Sequence, residues 1–229
     1  MHFQDIRSVI KMPVTNVAII EDHPIFSKGL TQLINTHEGF FVIGEATCCS
    51  GAMALVESKH PDLVIVDLNL GDEDGLELIK NFKAIYPSLA ILVLSMHDER
   101  YYAERVLRAG ARGYIMKEEA GIRVIEAIET VMSGKIWLSE TEREHMFSSM
   151  ASTVIVDTET NHKSLISKLS DRQLQILNLI GKGLGTVEIS TKLNLSAKTV
   201  GTHKEHIKQK LGCASIQELR QLAIKLTNS

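Results

Sequence analysis

The stretch DLVIVDL (62–68) decides how the first half of the chain folds. Between its two aspartates lie Leu63, Val64, Ile65 and Val66, an unbroken, mostly β-branched run. A run of this length and composition marks a strand buried on both faces of a sheet. Similar runs stand on either side of it: VAII (17–20), FFVIGEA (40–46), AILVLS (90–95) and ARGYIM (111–116). Between them the apolar spacing turns helical, as at Ile25, Leu30, Leu33 and Ile34, at Leu76, Leu78, Ile79 and Phe82, and at Val124, Ile125, Ile128 and Val131. Five strands alternating with five helices predict a doubly wound parallel α/β sheet with right-handed crossovers. In such a sheet, functional groups collect at the carboxyl ends of the strands.

The polar residues at those ends form an ordered set. Strand one ends in Glu21-Asp22, strand three in Asp67 and strand four in Ser95, and strand five runs into Lys117. Taken singly, a strand-end Asp is ordinarily a loop residue or a helix cap, and a Lys there is a solvated charge. Their order at successive strands carries the argument. Three clustered carboxylates raise one another's pKa, and a hard divalent cation such as Mg²⁺, bound through carboxylates, waters and phosphate oxygens, removes the conflict. Asp67, at the end of the buried strand, is the best-placed nucleophile and can accept a phosphoryl group as an acyl phosphate. The cation and the Lys117 ammonium would neutralise the transferring group, and the Ser95 hydroxyl would hydrogen-bond one of its oxygens.

Beyond residue 138 the character changes. Residues 139–165 are rich in Ser, Thr and Glu, with a short apolar island at Val154–Val156, and read as a linker that is helical near 139–150. From Leu169 onward the pattern is helical throughout, punctuated by Gly181, Gly183, Gly185, Asn194 and Gly212, which predicts a small all-α domain of four helices. Charge divides the same way. Residues 163–229 carry eleven Lys or Arg against four acids, a net +7, so the first 162 residues carry −10 of the overall −3. A basic helical unit on an acidic α/β unit points to a polyanionic partner for the former. Ser196 is placed to cap a helix on which Val200, Ile207 and Leu211 face the core. Lys198, Thr202, Glu205 and Gln209 lie opposite, with Gly201 and Lys208 on the flank, a small polar face suited to the DNA major groove.

These residues carry a resemblance. Residues 15–135 resemble the receiver domain of two-component response regulators. The text LSDRQLQIL, GKGLGTVEIS and KLNLSAKTVGTHKEHIKQKLG resembles the LuxR-type helix-turn-helix of the NarL/FixJ family. The resemblance implies a flavodoxin-like receiver with Asp67 as phosphoacceptor, Ser95 and Lys117 as its conserved partners, and Tyr114 as the aromatic switch. It also implies an Mg²⁺ site made by Glu21, Asp22, Asp67 and the backbone carbonyl of Asn69. A sensor histidine kinase would donate the phosphoryl group, after which Ser95 and Tyr114 would move inward and alter the surface around the fourth helix, fifth strand and fifth helix. Lys198, Thr199, Thr202, Glu205, Lys208 and Gln209 form the expected DNA-contact set, in a phosphorylation-dependent homodimer on double-stranded promoter DNA. The corresponding division is an extension at 1–14, receiver at 15–135, linker at 136–167 and helix-turn-helix domain at 168–229.

Several positions depart from the family. The loop LNLGDEDG (68–75) lacks the frequent Pro and contains Gly71, so a differently shaped loop is expected. Gly201 stands where a Lys is usual, and Gln173 where a Glu is usual. Glu205 faces outward, where it would repel phosphate or accept from a cytosine amine. His97, two residues after Ser95, is either a solvated loop residue or a group that tunes the water hydrolysing the acyl phosphate.

Composition excludes other classes. With 44% hydrophobic and 23% charged residues the chain reads as globular. No apolar run reaches the ~18–20 residues of a membrane span, and the N-terminal text, with Asp5, does not read as a signal peptide. Cys48, Cys49 and Cys213 fit neither a disulfide framework nor a metal spacing, which suits a reducing cytoplasm. The expected function is a phosphorylation-switched transcription factor whose only chemistry is its own phosphorylation and slow autodephosphorylation. Two competitors are a metal-dependent aspartyl phosphatase or hydrolase, with Asp72 or Asp74 as second acid, and an adaptor that does not bind DNA, motivated by Gly201 and Glu205.

Overall fold

The computed structural model describes residues 14–71, 73–151, 166 and 168–227. The apolar island at 154–156 and Asp72 lie outside them. Five parallel strands, β1 (Thr15–Ile20), β2 (Phe40–Ala46), β3 (Leu63–Asp67), β4 (Ala90–Ser95) and β5 (Gly113–Met116), form one sheet in the order β2-β1-β3-β4-β5. The order reverses at β1 and β3. That is the switch point where α/β sheets open a crevice for ligands, and Glu21, Asp22 and Asp67 flank it.

Helices α1 (Pro24–Asn35) and α5 (Ala120–Met132) cover one face, and α2 (Cys49–Lys59), α3 (Gly75–Ile85) and α4 (Glu99–Ala109) the other. All of β3 is buried, so its solid apolar run is explained by cover on both sides. The loop after β3 forms a short antiparallel ribbon, Asn69–Leu70 against Glu73–Asp74, with Gly71 at φ +60° in the turn between them. Gly75 then lets α3 start hard against β3. A Cβ there would meet the Asp67 carbonyl oxygen at 2.5 Å, too close for any side chain.

After α5 the chain returns to the sheet. Trp137 N–H donates to the Arg112 carbonyl and its own carbonyl accepts from Tyr114 N–H, so residues 136–138, which the sequence assigns to the linker, run beside β5. Helix α6 (Glu140–Ala151) follows, and buried Glu99 of α4 accepts the Ser139 backbone N–H just before it. The C-terminal unit is α7 (Asp171–Gly181), α8 (Thr186–Lys192), α9 (Ala197–Leu211) and α10 (Ile216–Thr227), packed around Leu174, Ile176, Leu177, Ile189, Val200, Ile207, Leu219 and Ala223.

The two units share a continuous apolar cluster that runs from the α4 face of the sheet through Tyr102, Leu138, Ile166 and Leu169 to Leu174. Arg105 of α4 donates to the carbonyls of Leu169 (2.8 Å) and Ile166 (2.5 Å), and the Tyr101 hydroxyl donates to the Leu226 carbonyl. These bonds satisfy backbone acceptors at the entry to α7 and near the end of α10.

Candidate functional site

The parallel register brings the strand-end residues together. Lys117, in the short 3₁₀ turn after β5, lies with its Nζ 2.6 Å from Glu21 Oε2 and 2.8 Å from Asp67 Oδ2. Asp67 is 2% exposed, Ser95 0% and Lys117 8%, so this is a buried, mutually compensating set. Burial pushes the Asp67 carboxyl up to about 6 against the opposing pull of the ammonium. Burial acts to lower Lys117, but the carboxylates of Asp67 and Glu21 outweigh it and hold the amine above its ordinary value. The ammonium thus opposes the effect of burial and favours the carboxylate form of Asp67.

One ligand atom from each of Glu21, Asp22, His23 and Asp67 lies within 4.8 Å of all the others. Asp22 Oδ2 accepts the Gly71 N–H at 2.9 Å, which ties the β1 end to the ribbon. Asp22 Oδ1 is buried and accepts no hydrogen bond, although His23 Nδ1 lies 2.8 Å away. A buried carboxylate oxygen that accepts no hydrogen bond, beside two carboxylates that share one ammonium, is a donor set that fits a hard cation. Asn69 belongs to the same cluster, its backbone N–H donating to Asp67 Oδ1 at 3.1 Å.

Two expectations change here. Tyr114 is already inside, 0% exposed, with its hydroxyl donating to the His97 carbonyl at 2.7 Å and its phenol pushed up in pKa by burial. An inward swing of the aromatic is thus not left to occur from this arrangement. His97 is not a solvated loop residue. Its ring stacks on Tyr102 with centroids 4.6 Å apart, Nε2 lies 3.1 Å from Asn69 Oδ1, and burial, with Lys182 and Lys117 adding, lowers it to about 4. Its backbone N–H donates to Ser95 Oγ at 3.2 Å. The sequence carried no signal for this, because Asn69 and Gln175, whose side chains meet its ring, lie 28 and 78 residues away along the chain.

Asp74, a candidate second acid, is the N-cap of α3, accepting from Leu76 N at 2.9 Å and Glu77 N at 3.4 Å. That role occupies the carboxylate Oδ1 of one of the two acids, Asp72 and Asp74, that the hydrolase alternative names, and Asp72 lies outside the described residues.

In the C-terminal unit, Ser196 caps α9, accepting from Thr199 N at 3.0 Å, and Asn194 at φ +52° forms the turn before it. Val200, Ile207 and Leu211 are buried, while Lys198, Thr199, Thr202, Glu205 and Gln209 face solvent and Lys208 is half-buried. Thr199 Oγ1 is engaged with Ser196 Oγ and Thr202 Oγ1 with the Lys198 carbonyl. Glu205 pairs with Lys208 at 2.5 Å, so its repulsion of a polyanion is partly cancelled on the helix itself. Nothing lies within 4 Å of the position a Gly201 Cβ would take. Gln173, standing where a Glu is usual, closes a capping box with Ser170 and accepts Lys210 Nζ at 2.8 Å, tying α7 to α9.

Comparison with known proteins matches both halves. Residues 17–129 match the response regulator receiver domain and 167–223 the family of bacterial regulatory proteins, luxR family. The chain is 34% identical over 207 residues to the virulence factors putative positive transcription regulator BvgA of Bordetella pertussis, covering 90% of this chain and 95% of that one. It is 35% identical over 211 residues to the oxygen regulatory protein NreC of Staphylococcus carnosus, covering 91% and 96%. Among solved structures, RcsB from Salmonella enterica serovar Typhimurium, bound to a promoter in the presence of the phosphomimetic BeF3−, superposes with a TM-score of 0.60 at 26% identity, covering 92% of this chain and 98% of that one.

Proposed function

The chain belongs to the NarL/FixJ response regulators, transcription regulators that join a receiver domain to a LuxR-type DNA-binding domain, and from that premise we propose that Asp67 is its phosphoacceptor. The observation that carries this is the Lys117 ammonium held between Asp67 and Glu21 in a pocket with Ser95. An Asp67 carboxylate oxygen attacks the phosphorus of a phosphohistidine on a sensor kinase. The P–N bond breaks, the imidazole leaves and a mixed anhydride forms. Lys117 then turns to the phosphoryl oxygens, and Ser95 Oγ donates to another. Glu21, Asp22, Asp67 and the Asn69 carbonyl would hold Mg²⁺, which neutralises charge on the transferring group.

The DNA-facing set on α9 reads double-stranded promoter DNA as a two-fold dimer whose formation follows phosphorylation, since a module of this size gains specificity from paired half-sites. Among the described residues no helix is long and apolar enough to cross a membrane, and a cytoplasmic location suits the free cysteines. Acetyl phosphate with Mg²⁺ should add ~80 Da, one phosphoryl group, to the protein and nothing to Asp67→Ala. Equal labelling of the variant overturns the assignment.

A further inference from the structure

Helix α7 of the DNA-binding domain places one side chain at the acceptor site. Gln175 is 7% exposed, and both ends of its amide are fixed. Its Oε1 accepts Arg172 Nη1 at 2.9 Å, and Arg172 Nη2 is in turn held by the Leu193 carbonyl at 2.8 Å. With the oxygen fixed, Nε2 points at the receiver, where it donates to Asn69 Oδ1 at 2.6 Å and lies 3.3 Å from His97 Nε2. Asn69 Oδ1 thus accepts the Gln175 amide and sits 3.1 Å from the His97 ring nitrogen Nε2. The same residue's backbone N–H reaches Asp67 Oδ1. His97 continues the network to Ser95 and Tyr114.

Asn69 and His97 stand on the loops after β3 and β4, neighbouring strands of the sheet. A single amide from the other domain clamps them together over an acceptor that is 2% exposed. Resting on the reading of Asp67 as phosphoacceptor, we infer that Gln175 is a positioning residue for the phosphoryl-acceptor reaction, contributed by the DNA-binding domain. Its amide holds Asn69 across Asp67 and slows phosphoryl entry. Arg172 fixes the amide's orientation, so the clamp is preorganised within α7 before any phosphoryl group arrives. A phosphoryl group arriving on Asp67 takes space and donors beside Asn69, so the reaction and the clamp compete for the same loop.

The test uses the full chain with acetyl phosphate and Mg²⁺, following mass gain with time. Gln175→Ala should be labelled about fivefold faster, the value of one net hydrogen bond. Gln175→Glu keeps the size and the Arg172 contact but cannot donate to Asn69, so it should match Ala if positioning is at work and wild type if only packing is. In an Asn69→Ala background, Gln175→Ala should add nothing, because the two side chains act as one unit. By NMR, the Gln175 side-chain NH2 should exchange slowly in the unmodified protein and rapidly once Asp67 is labelled. Wild type and both variants labelled at one rate would overturn the inference and leave Asp67 as acceptor. Additive effects of Gln175 and Asn69 would also overturn it, by making Gln175 act through domain opening alone. If the wild type gains no phosphoryl group, the acceptor reading falls first and takes the inference with it.

Discussion

In the acceptor pocket Lys117 is 8% exposed and bridges two carboxylates, whereas on α9 Lys198 and Gln209 face solvent and Glu205 pairs with a neighbour one turn away. Both regions are polar and both are proposed to meet phosphate. In the pocket the protein itself has removed water, so each charge depends on its partner and the geometry is fixed before any ligand arrives. On α9 the charges remain hydrated, and their interaction energy becomes available only when DNA displaces water and counterions. Charged side chains in the first region therefore support the fold, and those in the second are nearly independent of it.

The largest expected departure tests that dependence directly. Lys117→Met leaves Glu21 and Asp67 buried without their shared cation, and should lower stability by ~3–5 kcal/mol in urea unfolding at neutral pH. Added Mg²⁺ should restore part of the loss, because a ligand bound only to the native state stabilises it. A loss below ~1 kcal/mol would mean the pocket is hydrated after all and would erase the contrast.

Next in size is the metal set. Asp22→Asn keeps the side-chain oxygen that receives Gly71 N–H while removing the charge of the carboxylate whose second oxygen has no donor. Mg²⁺ binding should weaken about tenfold, equivalent to ~1.4 kcal/mol, with little change in melting temperature. An unchanged titration would make the pair purely structural.

On the recognition helix the effects should be smaller and of a different kind. Gly201→Lys meets no atom within 4 Å, so it should stabilise α9 by up to ~1 kcal/mol through helix propensity. It should also tighten binding to all DNA sequences, and steepen the salt dependence by about one unit if a phosphate is reached. Weaker binding would show that the backbone at 201 approaches the duplex too closely for a side chain. Smallest in stability is Lys198→Ala, expected to stay within ~0.5 kcal/mol in unfolding while flattening the salt slope by about one unit. A large stability loss there would dissolve the distinction between the two regions.

The same contrast explains what could be read in advance. Strand composition placed β3, and the chain order of Glu21, Asp22, Asp67, Ser95 and Lys117 followed from parallel register, because side chains at successive strand ends converge once the sheet is parallel. On α9 the 3.6-residue period separated buried Val200, Ile207 and Leu211 from the outward face. Capping at Ser196 was equally local. Each of these follows from spacing within a few tens of residues.

His97, Asp74, Tyr114 and Gln175 behaved differently. Asp74 became a cap because α3 begins one residue later, and the inward setting of Tyr114 depends on the carbonyl of His97 across the sheet edge. Gln175 meets Asn69 over 106 residues of sequence, and nothing in the helical period of 171–181 says which polar residue will face another domain rather than water. The sequence by itself determined the parallel sheet, the acidic set with its lysine, and the two faces of the recognition helix, since local spacing and strand order are enough to specify them. Only the tertiary structure decided that His97 is buried, that Tyr114 lies inward, and that an amide from the C-terminal unit meets Asn69 on the loop after β3. Those depend on how two separately patterned units dock, and docking is set by shape and hydrogen-bond complementarity between surfaces distant in the chain.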